Sequence, residues 1–380
     1  MRTLPYRTEK LTVHEWTGAT VSRYNLADGH PRQALTPGQV QAIGDVTSLF
    51  IKSAERNERD AKTEFEHAFF TLAGQESVHR CCLPPLSHYS GSAAIEVMAN
   101  YLRMANLAVT MAHPTFDSLA DTLKRHHVPL TPMPVEEVLN LTPSSPPTGT
   151  QALYLVVPNN PTGHCPTREQ FAGIVGYCAQ HDIMLLADFC FRFYGSFWDY
   201  DQYQMLIDAG VEFICTEDTG KTLPARDVKL GMLLASDRPY GLLKDISDDF
   251  LFSVAPFTFE ILTRLIAAEH RSARRVLAQD LADANREVLR ITLDGSPLQL
   301  VNPENRMGLE WLLLPPGWNA TAFTDWLHAE DGPQLLPGER FYWADYQAGS
   351  RYVRVALLRD THYFAEAAAS LRKLADLYQP

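Results

Sequence analysis

The chain has 380 residues, 46% hydrophobic and 21% charged, enough for a large core shared by two domains or by one α/β unit and a smaller appendage. A net charge of −12 excludes a partner recognised through its phosphate backbone, because that requires clustered basic residues. No apolar run reaches the roughly 18 residues of a membrane span. The opening MRTLPYRTEK lacks the apolar segment of a secretory leader, so the expectation is a cytoplasmic protein whose six scattered cysteines stay reduced.

In chain order, residues 1–35 read as a polar arm leading into NLADGHPRQALTPG, a loop rich in glycine, proline and aspartate. Helical periodicity follows over about 38–72, and LSHYSGSAAIEVMANYL reads as a small-residue turn feeding an amphipathic helix. Strands and helices then alternate. LAVTMAHP is a strand followed by a helix over about 116–126, and QALYLVVP is a strand followed by a helix capped by Thr167. IMLLAD, EFICTED and LGMLLAS are further strands. All are apolar on both faces, the pattern of a parallel sheet covered by helices. Asp188 and Asp218 fall at or near strand C-termini, where open α/β sheets place their ligands. A helical stretch over about 257–293 precedes a small α+β unit made of MGLEWLLLPP, a helix over about 321–329, RYVRVALL and a C-terminal helix. The expected division is 1–35 arm, 36–290 large domain and 291–380 small domain. The thirteen histidines include no HExxH pair, and His126–His127 reads as a solvated helix end.

Four strand-end features occur in order: YSGSA, PNNPTG, LLADFCF and EDTGK…KLG. Each alone has a bland reading as a turn, a helix cap or a solvated lysine. Together they resemble the fold-type I pyridoxal phosphate (PLP) enzymes of the class I and II aminotransferases, over about 86–358. That resemblance implies an aspartate aminotransferase-like α/β fold: a large domain with a mostly parallel central sheet, plus a small α+β domain. It also implies a homodimer. Ser90, Gly91 and Ser92 would hold the phosphate at a helix N-terminus. Phe116 would stack on the pyridine ring, its alternative being a core phenylalanine. Asn160 would donate to the pyridine oxygen, and Asp188 would pair with the protonated ring nitrogen. Lys221, one of only eight lysines, would form the Schiff base and remove the substrate α-proton, given burial or nearby cations to lower its pKa. Arg354 would bind the α-carboxylate, with Arg351 on the opposite strand face as the alternative.

Three positions depart from the usual pattern. Thr219 stands where a phosphate-binding serine is usual, Lys229 where an arginine is usual, and Phe191 where a tyrosine touches the pyridine oxygen. With NLADGHPRQALTPGQ, EDTGK and the lysine of DVKLG, these departures resemble the PLP-dependent L-arginine oxidases and hydroxylases of natural-product biosynthesis, such as the route to enduracididine. The resemblance implies O2 as co-substrate without metal or flavin, and 4-hydroxy-2-oxoarginine, 2-oxo or dehydroarginine products with peroxide and ammonia. Relatives that cyclise hydroxyarginines, plain aminotransferases and non-enzymatic PLP-fold domains stay as alternatives. Thr12, Glu15 and Asp218 would meet the substrate guanidinium. By themselves, Thr12 and Glu15 read as a capping box. His30 would act as an acid/base or water-positioning group on a lid, oriented by Asp28. Cys190 reads as packing.

Overall fold

The computed structural model describes residues 10–13, 15, 22–195, 197–269 and 275–380. Its centre is a seven-stranded sheet. In chain order, after a short arm strand β1 (Tyr24–Asn25), the sheet strands are β2 (Leu86–His88), β3 (Val109–His113), β4 (Leu130–Pro134), β5 (Ala152–Val156), β6 (Met184–Asp188), β7 (Phe213–Asp218) and β8 (Gly231–Ala235). They lie side by side in the order β2-β8-β7-β6-β5-β3-β4.

The apolar runs divide as a period of two requires. Leu153, Leu155, Leu185, Ala187, Phe213 and Cys215 enter one core, with Phe65, Phe171 and Phe259 from the covering helices. The alternate residues Ala152, Tyr154, Val156, Met184, Leu186 and Ile214 enter a second core on the other face, with Ile95, Met98 and Leu102 of helix α1 (Gly91–Met104). Each fully buried leucine or phenylalanine contributes roughly 1.5–3 kcal/mol, so a register slip in any inner strand would be opposed from both faces. Asp188 and Asp218 continue the second series. Glu217 points the other way, into a fully buried ion pair with Arg192 at 2.5 Å, where it also accepts from Tyr203 Oη at 2.7 Å.

Several expectations change. The run LGMLLAS does form a strand buried on both faces, but β8 is antiparallel to β7, and β2 is antiparallel to β8. Double-sided burial follows from coverage by helices and does not report strand direction. LSH, read as part of a turn, is a three-residue strand whose pairing to β8 is supplied from far along the chain. The edge strand β4 carries Pro132 and Pro134, which an edge tolerates because one side needs no donor. The helical stretch over 38–72 is three helices, broken where Asp45 and Asn57 cap new N-termini. The stretch over 257–293 is Pro256–Ala267 and Leu277–Leu293. His126 is not simply solvated, since its Nε2 lies 2.6 Å from Glu96 Oε1 on α1.

The C-terminal layer is an antiparallel sheet of β9 (Gln299–Leu300), β10 (Leu309–Leu313), β12 (Leu336–Pro337) and β13 (Tyr352–Ala356), covered by helices Ala320–Ala329 and Thr361–Leu377. The arm belongs to this layer. Strand β1 runs parallel to β11 (Pro333–Gln334), and Tyr24 and Leu26 are buried in the same core as Leu289, Leu293 and Phe364. Among the described residues, no helix is long and apolar enough to cross a membrane.

Candidate active site

The C-terminal ends of β3, β5, β6 and β7 converge on a cavity of about 660 Å³. Every site residue singled out from the sequence lines it, except Thr219, Arg354 and the alternative Arg351. Arg354 lies just behind the lining. Thr219 is buried, and its hydroxyl bonds the backbone of Leu230, accepting from the amide at 2.9 Å and donating to the carbonyl at 3.3 Å. Arg351 donates to the Leu314 carbonyl at 2.7 Å instead of entering the cavity.

Ser90 is the N-cap of α1, with extended backbone and Oγ accepting from Ala93 N at 3.1 Å. A β-carbon on Gly91 would stand 2.8 Å from Asp218 Oδ2 and 3.2 Å from Cys190 Sγ, so the chain approaches too closely here for a side chain. Asp218 links this helix start to the lysine turn. Its Oδ2 accepts from Gly91 N at 2.7 Å and its Oδ1 from Gly220 N at 2.5 Å. One residue missed in the sequence is Gly231, at the start of β8, where a β-carbon would overlap the Ser90 carbonyl and the Gly91 amide nitrogen. A glycine opening an apolar strand was the available signal. Gly231→Ala is expected to push the Ser90–Gly91 turn off α1 and weaken PLP binding by about tenfold or more, since an anion cradle depends on where its amides point. Fluorescence titration of the PLP-free protein checks this, and unchanged affinity in a folded variant would refute it.

Asp188 is buried at the end of β6, with Oδ1 accepting from Cys190 N at 2.9 Å. Burial pushes its carboxyl up to about 6, against the hydrogen bonds from Cys190 and the charge of Lys221. Lys221 follows β7 on the turn after Asp218. Its carbonyl accepts from the buried Tyr194 hydroxyl at 2.7 Å, and its Nζ lies 5.9 Å from the centre of the Phe191 ring. Phe116 ends the β3 loop as N-cap of helix Asp117–Arg125, and the Arg354 guanidinium lies 5.6 Å from its ring centre. Lys229 lines the same cavity.

The arm closes over these groups. His30 Nε2 is 3.3 Å from Lys221 Nζ, and its Nδ1 is 2.6 Å from Asp28 Oδ1. Burial, reinforced by the Lys221 charge, holds the imidazole below its ordinary pKa against the pull of Asp28. With Nδ1–H donated to Asp28, the Nε2 lone pair faces Lys221. Burial would raise the Asp28 carboxyl, but the hydrogen bond and charge of His30 and the charge of Lys221 hold it far below the usual range.

Further toward the N-terminus, Leu11 packs with Trp311 and Phe341, and its amide donates to Asp117 Oδ2 at 3.2 Å. Thr12 is exposed at the cavity rim. Glu15 is buried and does not close a capping box. Its Oε1 takes a 2.7 Å bond from Arg354 Nη2 and a 3.3 Å bond from Gly29 N. A buried carboxylate paired with a guanidinium outcompetes a local cap. Arg354 also donates to Asn160 Oδ1 at 3.2 Å and to the Ala27 carbonyl, while its buried Nε has no hydrogen-bond partner among the described residues.

These residues fit pyridoxal phosphate. A glycine-narrowed helix N-terminus suits the phosphate, the buried Asp188 carboxyl suits a protonated ring nitrogen, and a primary amine stands between them and the arm.

The family model for aminotransferase class I and II matches residues 25–370. A solved structure of MppP soaked with the product 2-ketoarginine superimposes with a TM-score of 0.84 at 30% identity, covering 93% of this chain and 99% of that one. A PLP-dependent aminotransferase from Streptococcus suis shares the fold at a TM-score of 0.74 and 17% identity, covering 99% of this chain and 100% of that one. LL-diaminopimelate aminotransferase 2 of Trichormus variabilis is 24% identical over 234 residues, 58% of this chain and 55% of that enzyme. The chain spans little more than half the length of the curated relatives it matches. The family match runs from the arm strand through both layers to the C-terminal helix, and the chain belongs to the aminotransferase class I and II family.

Proposed function

We propose that the protein is a PLP- and O2-dependent L-arginine oxidase. It converts arginine to a 2-oxo product, with hydroxylated or dehydrogenated forms, and releases ammonia and peroxide. The observation that carries this reading is the second acid/base group on the arm: His30, backed by Asp28, 3.3 Å from Lys221 Nζ. Transamination returns its proton through the lysine alone, whereas an oxidation must take protons away. The similarity to MppP, solved with 2-ketoarginine, supports arginine as the substrate.

Bound PLP supplies the electron sink that makes the substrate α-carbon acidic and its electrons available to O2. The chain does the rest. Asp188 keeps the ring nitrogen protonated. Lys221 Nζ holds the cofactor and takes the α-proton. His30 Nε2 accepts a proton from Lys221 and, through Nδ1, is kept in the receiving tautomer by Asp28. Arg354 takes the α-carboxylate, displacing Glu15, which then turns its charge to the substrate guanidinium at the arm. Docking of Leu11 on Asp117 keeps bulk water out while electron-rich species exist. The same reading takes the enzyme as a homodimer, with exposed Phe50, Ile51 and Phe252 as apolar surface for a second copy.

An oxygen electrode tests the proposal. PLP-loaded protein with L-arginine and no 2-oxo acid should consume O2 and release peroxide. A second reading, transamination, draws on the similarity to LL-diaminopimelate aminotransferase. Turnover only after a 2-oxo acid is added, with no O2 consumed, would favour it and sink the first.

A further inference from the structure

Arg359 lies just past the end of β13 and is 3% exposed. Its guanidinium carries a charge into the interior, yet among the described residues no carboxylate oxygen comes within 4.0 Å of it. It is surrounded by carbonyls. Nε donates to Asn25 O at 2.7 Å, Nη2 to Asp28 O at 2.5 Å, and Nη1 to His30 O at 3.1 Å and Leu358 O at 2.8 Å. Buried cations normally sit against carboxylates, so four carbonyl acceptors and no acid make an unusual arrangement. Burial draws the guanidinium down to about 10, which leaves it charged at neutral pH, with the more distant Asp28 carboxylate opposing the shift.

Three of the four carbonyls belong to one short segment, residues 25–30. Past β1 only Leu26 keeps strand contacts, donating to Gln334 O at 3.0 Å and accepting from Ala356 N at 2.8 Å, so the carbonyls of Asn25, Asp28 and His30 draw their donors from a side chain. Its amides are already satisfied: Ala27 N and Asp28 N donate to Asn25 Oδ1, His30 N to Asp28 Oδ1, Gly29 N to Glu15 Oε1 and Asn25 N to the Tyr363 hydroxyl. Arg359 supplies donors to the carbonyls of Asn25, Asp28 and His30, while Ala356 N and Arg354 take those of Leu26 and Ala27. A planar fork with five donors can reach three carbonyls of a curved segment at once, which an ammonium on a flexible stem cannot. Two of the clamped carbonyls are those of Asp28 and His30, whose side chains form the Asp28–His30–Lys221 chain.

We propose that Arg359 is a positioning residue that clamps the Asp28–His30 segment and so sets the His30 imidazole against Lys221. The site tolerates little slack, because a proton passes between His30 Nε2 and Lys221 Nζ only near hydrogen-bond distance. The clamp acts through the backbone. Its loss moves the ring without removing any group from the cavity.

This inference rests on the reading of His30 and Lys221 as a working pair, and the test separates the two. Histidine-labelled wild type, Arg359→Gln, Arg359→Lys and His30→Gln are compared by NMR, with and without PLP, after thermal unfolding shows which are folded. The His30 ring signal, identified by its loss in His30→Gln, should shift in Arg359→Gln. Its titration midpoint, set by burial, Asp28, Lys221 and Lys229, should move toward the ordinary histidine value. Signals of remote histidines such as His126 and His362 should stay in place. Arg359→Lys should give a smaller shift of the same sign. In PLP-loaded enzyme, kcat should fall about 10–100-fold, the loss expected from a misplaced group, with KM altered less than about threefold. If Arg359→Gln does not fold, Arg359→Lys decides by the same signal. An unmoved His30 signal in the folded variants overturns the proposal, even where activity falls. If wild type oxidises no arginine but His30 still follows Arg359, the clamp stands and the functional reading falls. If arginine is oxidised and His30 ignores Arg359, the clamp falls alone.

Discussion

Lys221→Ala is expected to lower O2 uptake with arginine by at least about 10³-fold, since both the tether and the α-proton base are removed. The geometry makes this a sharp test. A second lysine, Lys229, lines the same cavity and offers a chemically equal amine. Only Lys221 stands on the turn after β7, with its carbonyl held by Tyr194 and its Nζ beside His30. Borohydride treatment of PLP-loaded wild type should add one reduced cofactor to the peptide containing Lys221. The variant should bind PLP without becoming labelled. Labelling at Lys229, or retained O2 uptake, would transfer the role and refute the assignment.

The next largest effect is expected at Glu15. In this structure it is bonded to Arg354, the residue proposed to bind the α-carboxylate. An incoming amino acid must therefore separate a buried ion pair, and breaking such a pair without replacement costs about 3–5 kcal/mol. Arginine brings both charges needed to repair it: a carboxylate for Arg354 and a guanidinium for Glu15. Citrulline, the same shape without the charge, brings only the first. Glu15→Gln removes the stranded charge, so citrulline should bind better and arginine worse. Their selectivity ratio should fall by about 10–100-fold, within the energy of one buried pair. Spectral titration of PLP-loaded protein with each amino acid measures this. An unchanged ratio would mean that Glu15 is only a structural partner of Arg354. Arg354→Ala should instead weaken both ligands together.

Asp218 is cast differently by its contacts. As an acid beside the lysine, it invited a role in guanidinium selection. Both of its oxygens accept backbone amides, those of Gly91 and Gly220, which makes it the brace between the helix N-terminus and the lysine turn. Thr219 likewise faces Leu230 and not the cavity. In both cases the residue lies within three positions of Lys221 in sequence, and nearness along the chain says nothing about which way a side chain turns.

Local pattern determined much of this protein. The apolar runs marked the inner strands, their period of two matched burial on both faces, and the polar residues that end them, Asn160, Asp188 and the Asp218–Lys221 turn, were legible as a site. Hydrophobic alternation is the same read in either direction, so it left the antiparallel course of β8 undetermined. It could not show that Glu15 meets Arg354, 339 residues away, or that Gly231 lies under Ser90. Nor could it reveal that a buried arginine near the C-terminus holds the carbonyls of the N-terminal arm. Periodicity and capping act within a few residues, whereas these contacts arise only when the packed cores bring distant segments to one place. The residues that gather at the cavity were therefore readable from the chain, and the contacts that hold them belong to the tertiary structure.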